Sequence, residues 1–399
     1  MFRQHCLNQN PKSWHALASY SLLVFLLFSQ SWPSIMADEK VADHTWQDAF
    51  EVLGISWNPD GTLHREIQIP MVNATPTLTD PNNSPLALSA DIQLSPESKA
   101  YVRLYIPVTP PATTKLPLII YLHGGDFVLY SASTVIFHEF CNNIASQFPA
   151  VVVSVEYRLA PENRLPAAYD DALTAIFWVK NQALGIGSRD PWLYYADFSK
   201  VFLLGSSAGA NIVYHTALRT LDFDLSPIKI RGILLNQPFF GGEIRTPSEL
   251  RLIDDPYVPL YVCDVLWTLA LPHGANRDHE FCNPIAGGSY LGRVSRLPRV
   301  FAKADEGDPL SDRTTQLVEL LSKNKVSVVY QYNQGGFHGI ELQNTTAAQS
   351  LYDAMKSFVN STGVTDDEVS LYLATLFTLT VRFNEMWKNE LLDISFIAI

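Results

Sequence analysis

The stretch Gly205-Ser206-Ser207-Ala208-Gly209 constrains this chain more than any other. The apolar run Val201-Phe202-Leu203-Leu204 leads into it, and Ala210-Asn211-Ile212-Val213-Tyr214-His215 follows. The run reads as a buried strand. Ile212, Val213, Thr216 and Ala217 then recur at helical spacing. Strand, sharp turn and helix form the setting in which a G-x-S-x-G pattern acquires chemical meaning. Both outer positions must be glycine, because a side chain there would strike the flanking strand or helix. The turn lifts the Ser207 hydroxyl above the sheet edge. The helix N-terminus sets free N–H groups and a positive dipole end beside any negative charge that develops there.

A serine nucleophile needs a base, and the base needs a carboxylate to orient it. Gly307-Asp308-Pro309-Leu310-Ser311-Asp312 follows one strand pattern, and Gly335-Gly336-Phe337-His338-Gly339 follows the next. Each is a loop at the carboxyl edge of the expected sheet, where open α/β sheets place their sites. The order Ser207, Asp308, His338 makes His338 the candidate base and Asp308 its orienter. Asp305 and Asp312 are neighbouring carboxylates, and Asp312 is placed to cap the helix that follows. Upstream, Tyr121-Leu122-His123-Gly124-Gly125-Asp126-Phe127 ends another strand. With the N–H of Ala208, those of Gly124 and Gly125 would form an oxyanion hole.

The rest of the chain supplies a frame for these loops. Strand patterns occur at Leu63 to Ile69, 102–106, Leu116 to Leu122, Ala150 to Val155, Val201 to Leu204, Ile230 to Leu235, Arg299 to Ala302 and Val326 to Tyr332. Helical patterns alternate with them at Phe137 to Phe148, Ala167 to Ala183, after Ser207, at Arg313 to Lys323 and at Thr346 to Val359. Such alternation predicts an α/β fold with a mostly parallel central sheet and helices on both faces. Met71 to Ser95, rich in Pro, Asn, Thr and Ser, reads as an extended or loop segment. Residues 241–290, with several prolines and many aromatics, break the rhythm.

Composition sets outer limits. The 399 residues are 47% hydrophobic, enough for a large buried core, and carry a net charge of −12. No basic patch favours nucleic acid. No zinc-type Cys/His spacing or phosphate-binding glycine loop is present. The cysteines, Cys6, Cys141, Cys263 and Cys282, are scattered, which argues against a disulfide framework and for a reducing compartment. Residues 1–35 carry Arg3 and Lys12 before an apolar stretch from Ala16 to Phe28, like a signal peptide. Met36 would serve equally as a start, making residues 1–35 an upstream extension. The expected location is cytoplasmic, or the secretory pathway if residues 1–35 are a true signal. Membrane association is expected only if they are retained as an anchor. Sequons at Asn73, Asn82, Asn344 and Asn360 do not decide between these.

Several stretches together resemble the plant carboxylesterases of the hormone-sensitive-lipase-like group of α/β-hydrolases. They are the His123–Phe127 turn, Glu156-Tyr157-Arg158-Leu159-Ala160-Pro161-Glu162, Leu165-Pro166-Ala167-Ala168-Tyr169-Asp170-Asp171, the Ser207 turn, Asp308–Asp312 and Phe337-His338. The resemblance spans about residues 50 to 359. It implies the α/β-hydrolase fold at 99–360, with residues 36–98 and an insertion at 241–290 forming a cap. Residues 1–35 and 361–399 fall outside it. It implies hydrolysis of a small-molecule ester without metal or organic cofactor. Two positions depart from the family: Asp126 stands where a third glycine is usual, and Ser206 where an acid is frequent. Asp126 is therefore either a group turned away from the oxyanion or a contact for a polar substrate, and Ser206 should point away from substrate. Related proteins put the same site to elimination chemistry or to hormone reception. The alternatives to an esterase are thus a lyase or cyclase and a non-catalytic receptor.

Overall fold

The computed structural model describes residues 44–66, 69–78, 85–94 and 100–361. The leader-like residues 1–35 and the tail from 362 onward lie outside the described residues. In chain order the elements begin with helix α1 (Trp46–Leu53) and the two-stranded ribbon β1 (Ile55–Trp57) and β2 (Leu63–Arg65). Next come β3 (Ala87–Gln93), β4 (Tyr101–Pro107), β5 (Leu116–Leu122), α2 (Val135–Gln147), β6 (Val151–Val155) and α3 (Ala167–Leu184). β7 (Ala196–Ser206), α4 (Ala208–Thr220) and β8 (Ile230–Asn236) follow, then α5 (Pro247–Arg251) and α6 (Leu260–Ala270). β9 (Arg299–Asp305), α7 (Ser311–Lys323), β10 (Val328–Asn333) and α8 (Thr345–Asn360) complete the series.

Eight strands form one sheet in the order β10-β9-β8-β7-β5-β6-β4-β3. From β10 to β6 every pairing is parallel; β4 and β3 then add antiparallel. The expected α/β fold with a mostly parallel sheet is what the chain adopts. Side chains alternate between two cores. Leu118, Ile120 and Leu122 of β5 and Val201 and Leu203 of β7 join the core that α3, α4 and α7 cover. Ile119, Tyr121, Phe202 and Leu204 face the other, under α2 and α8. Two buried faces explain why these strands read as continuous apolar runs rather than as alternating ones.

The structure corrects or sharpens three sequence readings. The strand expected from Leu63 to Ile69 ends at Arg65. The segment Met71 to Ser95, read as extended or loop, contains the edge strand β3. Ala87, Ser89 and Asp91 are weak strand formers, and pairing with β4 overrides their preference. β7 is also longer than its apolar stretch, because its polar start at Asp197 to Lys200 carries no hydrophobic signal. Within 241–290 lie α5 and α6, and α6 packs against α1. No described helix is long and apolar enough to cross a membrane.

Candidate active site

The sheet reverses direction around β5. The chain leaves β5 for its neighbour β6 on one side, and returns as β7 on the other. The turns after β5 and β7 therefore open side by side, at the switch point where α/β sheets form a crevice. Gly124 and Gly125 follow β5, and Ser207 follows β7. Asp308 and His338 come from the loops after β9 and β10.

The Ser207 turn is as tight as its glycines suggest. A Cβ on Gly205 would lie 2.2 Å from the Gly209 carbonyl, and one on Gly209 would lie 2.0 Å from the Leu122 oxygen. Ser207 itself holds φ 54 and ψ −121, a conformation that L-residues rarely adopt. Its N–H donates to Asn236 O at 2.9 Å, which pins the turn to the end of β8. Strain is concentrated around it: Asp126, Phe127, Tyr130 and Gln237 also have positive φ.

The structure brings the three candidate side chains together. His338 Nε2 lies 3.0 Å from Ser207 Oγ, and His338 Nδ1 lies 2.9 Å from Asp308 Oδ2. Asp308 is 1% exposed, and its Oδ1 accepts from Leu310 N at 2.9 Å, which leaves Oδ2 for the imidazole. Burial disfavours the imidazolium, yet Asp308, supported by Asp126 and Glu341, outweighs it and raises His338 to about 9. His123 behaves oppositely. Burial pushes it down to about 4 while its Nδ1 stays 2.7 Å from Gly124 O. The neighbouring carboxylates have other tasks. Asp305 accepts from Gln237, Lys303 and Asn333. Asp312 accepts from Ser248 N at 2.7 Å, so it anchors the start of α5 rather than capping its own helix.

Among the described residues, no backbone carbonyl accepts from the N–H of Gly124, Gly125 or Ala208. The family motif behind them acts as a buttress. Tyr157 donates to His123 O at 2.9 Å and stacks on the His123 ring at 4.2 Å. Glu156 receives Ala132 N at 2.7 Å, and Arg158 pairs with Asp171. Ser206 Oγ lies 3.3 Å from Asn236 Nδ2 and 3.5 Å from the Tyr121 hydroxyl, so its side chain is engaged with neighbouring strands.

Ser207, His338, Gly124, Gly125 and Asp126 border one cleft of about 330 Å³, with Ile69, Tyr257 and Val258 among its other walls. Asp126 therefore faces the site and not bulk solvent. Burial raises its carboxyl to about 6, although His338 and Ser207 pull it back toward ionisation. One contributor escaped the sequence reading. Gln237 Nε2 donates to Phe337 O at 2.9 Å, and its Oε1 accepts from Gly339 N at 2.8 Å. It clamps the loop on both sides of His338. No local motif marks it; the only sequence signal is its place just past the end of a strand.

The chain matches the model of an α/β-hydrolase-fold family over residues 119–342. It is 45% identical over 322 residues to the 3-O-acetylpapaveroxine carboxylesterase CXE1 of Papaver somniferum, covering 78% of this chain and 97% of that one. The chain belongs to the plant carboxylesterases. Against probable carboxylesterase 8 of Arabidopsis thaliana the identity is 42% over 320 residues, 79% of this chain and 94% of the relative. Among solved structures, an esterase from Pyrobaculum calidifontis superposes with a TM-score of 0.58 at 27% identity, over 70% of this chain and 88% of that one. As a member of this family the chain is a carboxylesterase enzyme, and its substrates are small-molecule esters.

Proposed function

We propose that Ser207, His338 and Asp308 form the catalytic triad of this esterase and that Gly124, Gly125 and Ala208 form its oxyanion hole. The observation that carries the reading is the position of His338, within hydrogen-bond reach of Ser207 on one side and Asp308 on the other. With Nδ1–H directed at Asp308, the Nε2 lone pair is the one that faces the serine hydroxyl. Ser207 Oγ attacks the ester carbonyl carbon and its proton passes to Nε2. The carbonyl oxygen becomes an oxyanion held by backbone N–H groups that donate to no backbone carbonyl among the described residues. Collapse breaks the bond to the alcohol, which leaves with the proton from Nε2. A water then gives its proton to His338 and attacks the acyl carbon, releasing the acid and restoring Ser207. The imidazole in place on Ser207 favours this cycle over a receptor that only holds its ligand.

The test is mass spectrometry of the protein after treatment with a fluorophosphonate. One adduct is expected, on Ser207, with loss of aryl-ester hydrolysis. Full inactivation with the adduct on another residue would overturn the assignment.

A further inference from the structure

Among the described residues two acidic groups, Asp126 and Glu341, border the cleft, and Asp126 has no structural task in the fold beyond it. Asp126 occupies a strained position, φ 55, directly after the two glycines of the turn. Its Oδ1 is fully enclosed and has no hydrogen-bond partner among the described residues. The nearby donors are shared or committed: Ser207 and His338 face each other while both also favour the Asp126 anion, and the Tyr157 hydroxyl goes to His123 O. The Cys263 thiol turns to Val258 O. A carboxyl with one oxygen enclosed and unpaired is costly as the anion, and a positive charge or donor that a ligand brings into the cleft would offset that cost.

The cleft also favours a particular sign of charge. Glu341 borders it along with Asp126, whereas among the described residues no lysine or arginine does. Glu341 is already occupied by Asn236 and faces Lys303 behind the wall. Tyr130 and Tyr257 put aromatic rings on the same walls, and Tyr257 stacks on Phe337 at 4.5 Å. An enclosed carboxylate with aromatic rings nearby suits an ammonium group, through charge-assisted hydrogen bonds and cation–π attraction.

We infer that Asp126 selects esters that carry a positively charged nitrogen near the scissile carbonyl. This rests on the esterase reading of the site and names a substrate class for it. A neutral hydroxyl would offer the carboxylate a weaker hydrogen bond. An anionic substituent would meet a like charge and be turned away.

The experiment compares isosteric esters within each protein variant. On the acyl side these are aryl esters of 3-substituted propionic acids bearing ammonium, methyl or carboxylate. On the alcohol side they are butyrylcholine and 3,3-dimethylbutyl butyrate. In the wild type, kcat/KM for the cationic member of at least one series should exceed that of its neutral isostere by about tenfold or more. In Asp126→Asn that ratio should fall toward one, and the handicap of the carboxylate ester should shrink. Asp126→Gly serves as the second variant if the asparagine does not fold. A ratio within one protein is insensitive to overall loss of activity. Equal cationic-to-neutral ratios in wild type and both variants would overturn the inference while leaving the esterase intact. Failure of the esterase reading would look different, with no ester cleaved and no adduct on Ser207.

Discussion

The two ends of the central sheet each carry a cleft, and the larger one is not the site. At the amino ends of β5, β8 and β9 a cleft of about 830 Å³ is lined by Lys115, Lys200, Arg231, Arg299 and Lys356. Its cations are already engaged: Arg231 Nε donates to Ser199 O at 2.8 Å, and Lys356 Nζ to Gln147 O at 3.1 Å. None of its lining residues has positive φ. The carboxyl-edge cleft is less than half that volume. It nevertheless holds the strained turn at Ser207, the amides without acceptors and the enclosed Asp126 oxygen. Volume measures only where strands and loops fail to meet. A reactive site needs groups held out of their preferred state, and the surrounding fold must be stable enough to hold them there.

The largest effects should come from the carboxyl edge. His338→Ala should lower kcat by on the order of 10³ or more, as should Ser207→Ala, because the proposed triad would act as a unit. Asp308→Asn should cost less but still heavily, through the wrong imidazole tautomer. Asp312→Asn should be mild, since that carboxylate holds α5. Steady-state kinetics on a short-chain aryl ester orders the four variants, and a larger loss from Asp312→Asn than from Asp308→Asn would reassign the orienter.

Packing separates tight glycines from open ones. Gly209→Ala forces a Cβ to within 2.0 Å of the Leu122 oxygen, so the backbone must move. A loss of about 3 kcal/mol is expected from urea midpoints. Gly274→Ala meets open space at φ 80 and should cost roughly 1 kcal/mol. Similar costs at both positions would mean that the Ser207 turn relaxes more easily than its contacts suggest.

A smaller effect concerns pH. As the proposed base His338 must be neutral, and it is raised to about 9 despite burial, by Asp308 with help from Asp126 and Glu341. Activity should therefore climb as pH rises toward that value. Asp126→Asn removes one charge that favours the imidazolium, so its pKa falls. The acid limb of kcat/KM should move to lower pH, measured on a neutral ester. A limb that stays in place would show that Asp126 does not act on His338. The smallest effect should come from the other cleft. Replacing Lys200 and Arg231 together by alanine should leave kcat/KM within about twofold, because charges this exposed and remote from the chemistry are screened. A tenfold loss would break the contrast between the two ends.

The sequence by itself determined the alternation of strands and helices, the fold class and the three loops that carry Ser207, Asp308 and His338. Those features are local: burial on both faces writes apolar runs, and a turn that admits no side chain writes glycine. Other features depended on what lies across the sheet. β3 is a strand only because β4 is there to pair with it. Asp305, Asp308 and Asp312 are near-equivalent along the chain. Their roles separate because Gln237 and Lys303 approach one, His338 another and Ser248 the third. Gln237 itself carries no motif, since what it clamps lies a hundred residues away. The direction of Asp126 was equally undecided in one dimension. Only the folded chain sets this residue at positive φ on the wall of the cleft.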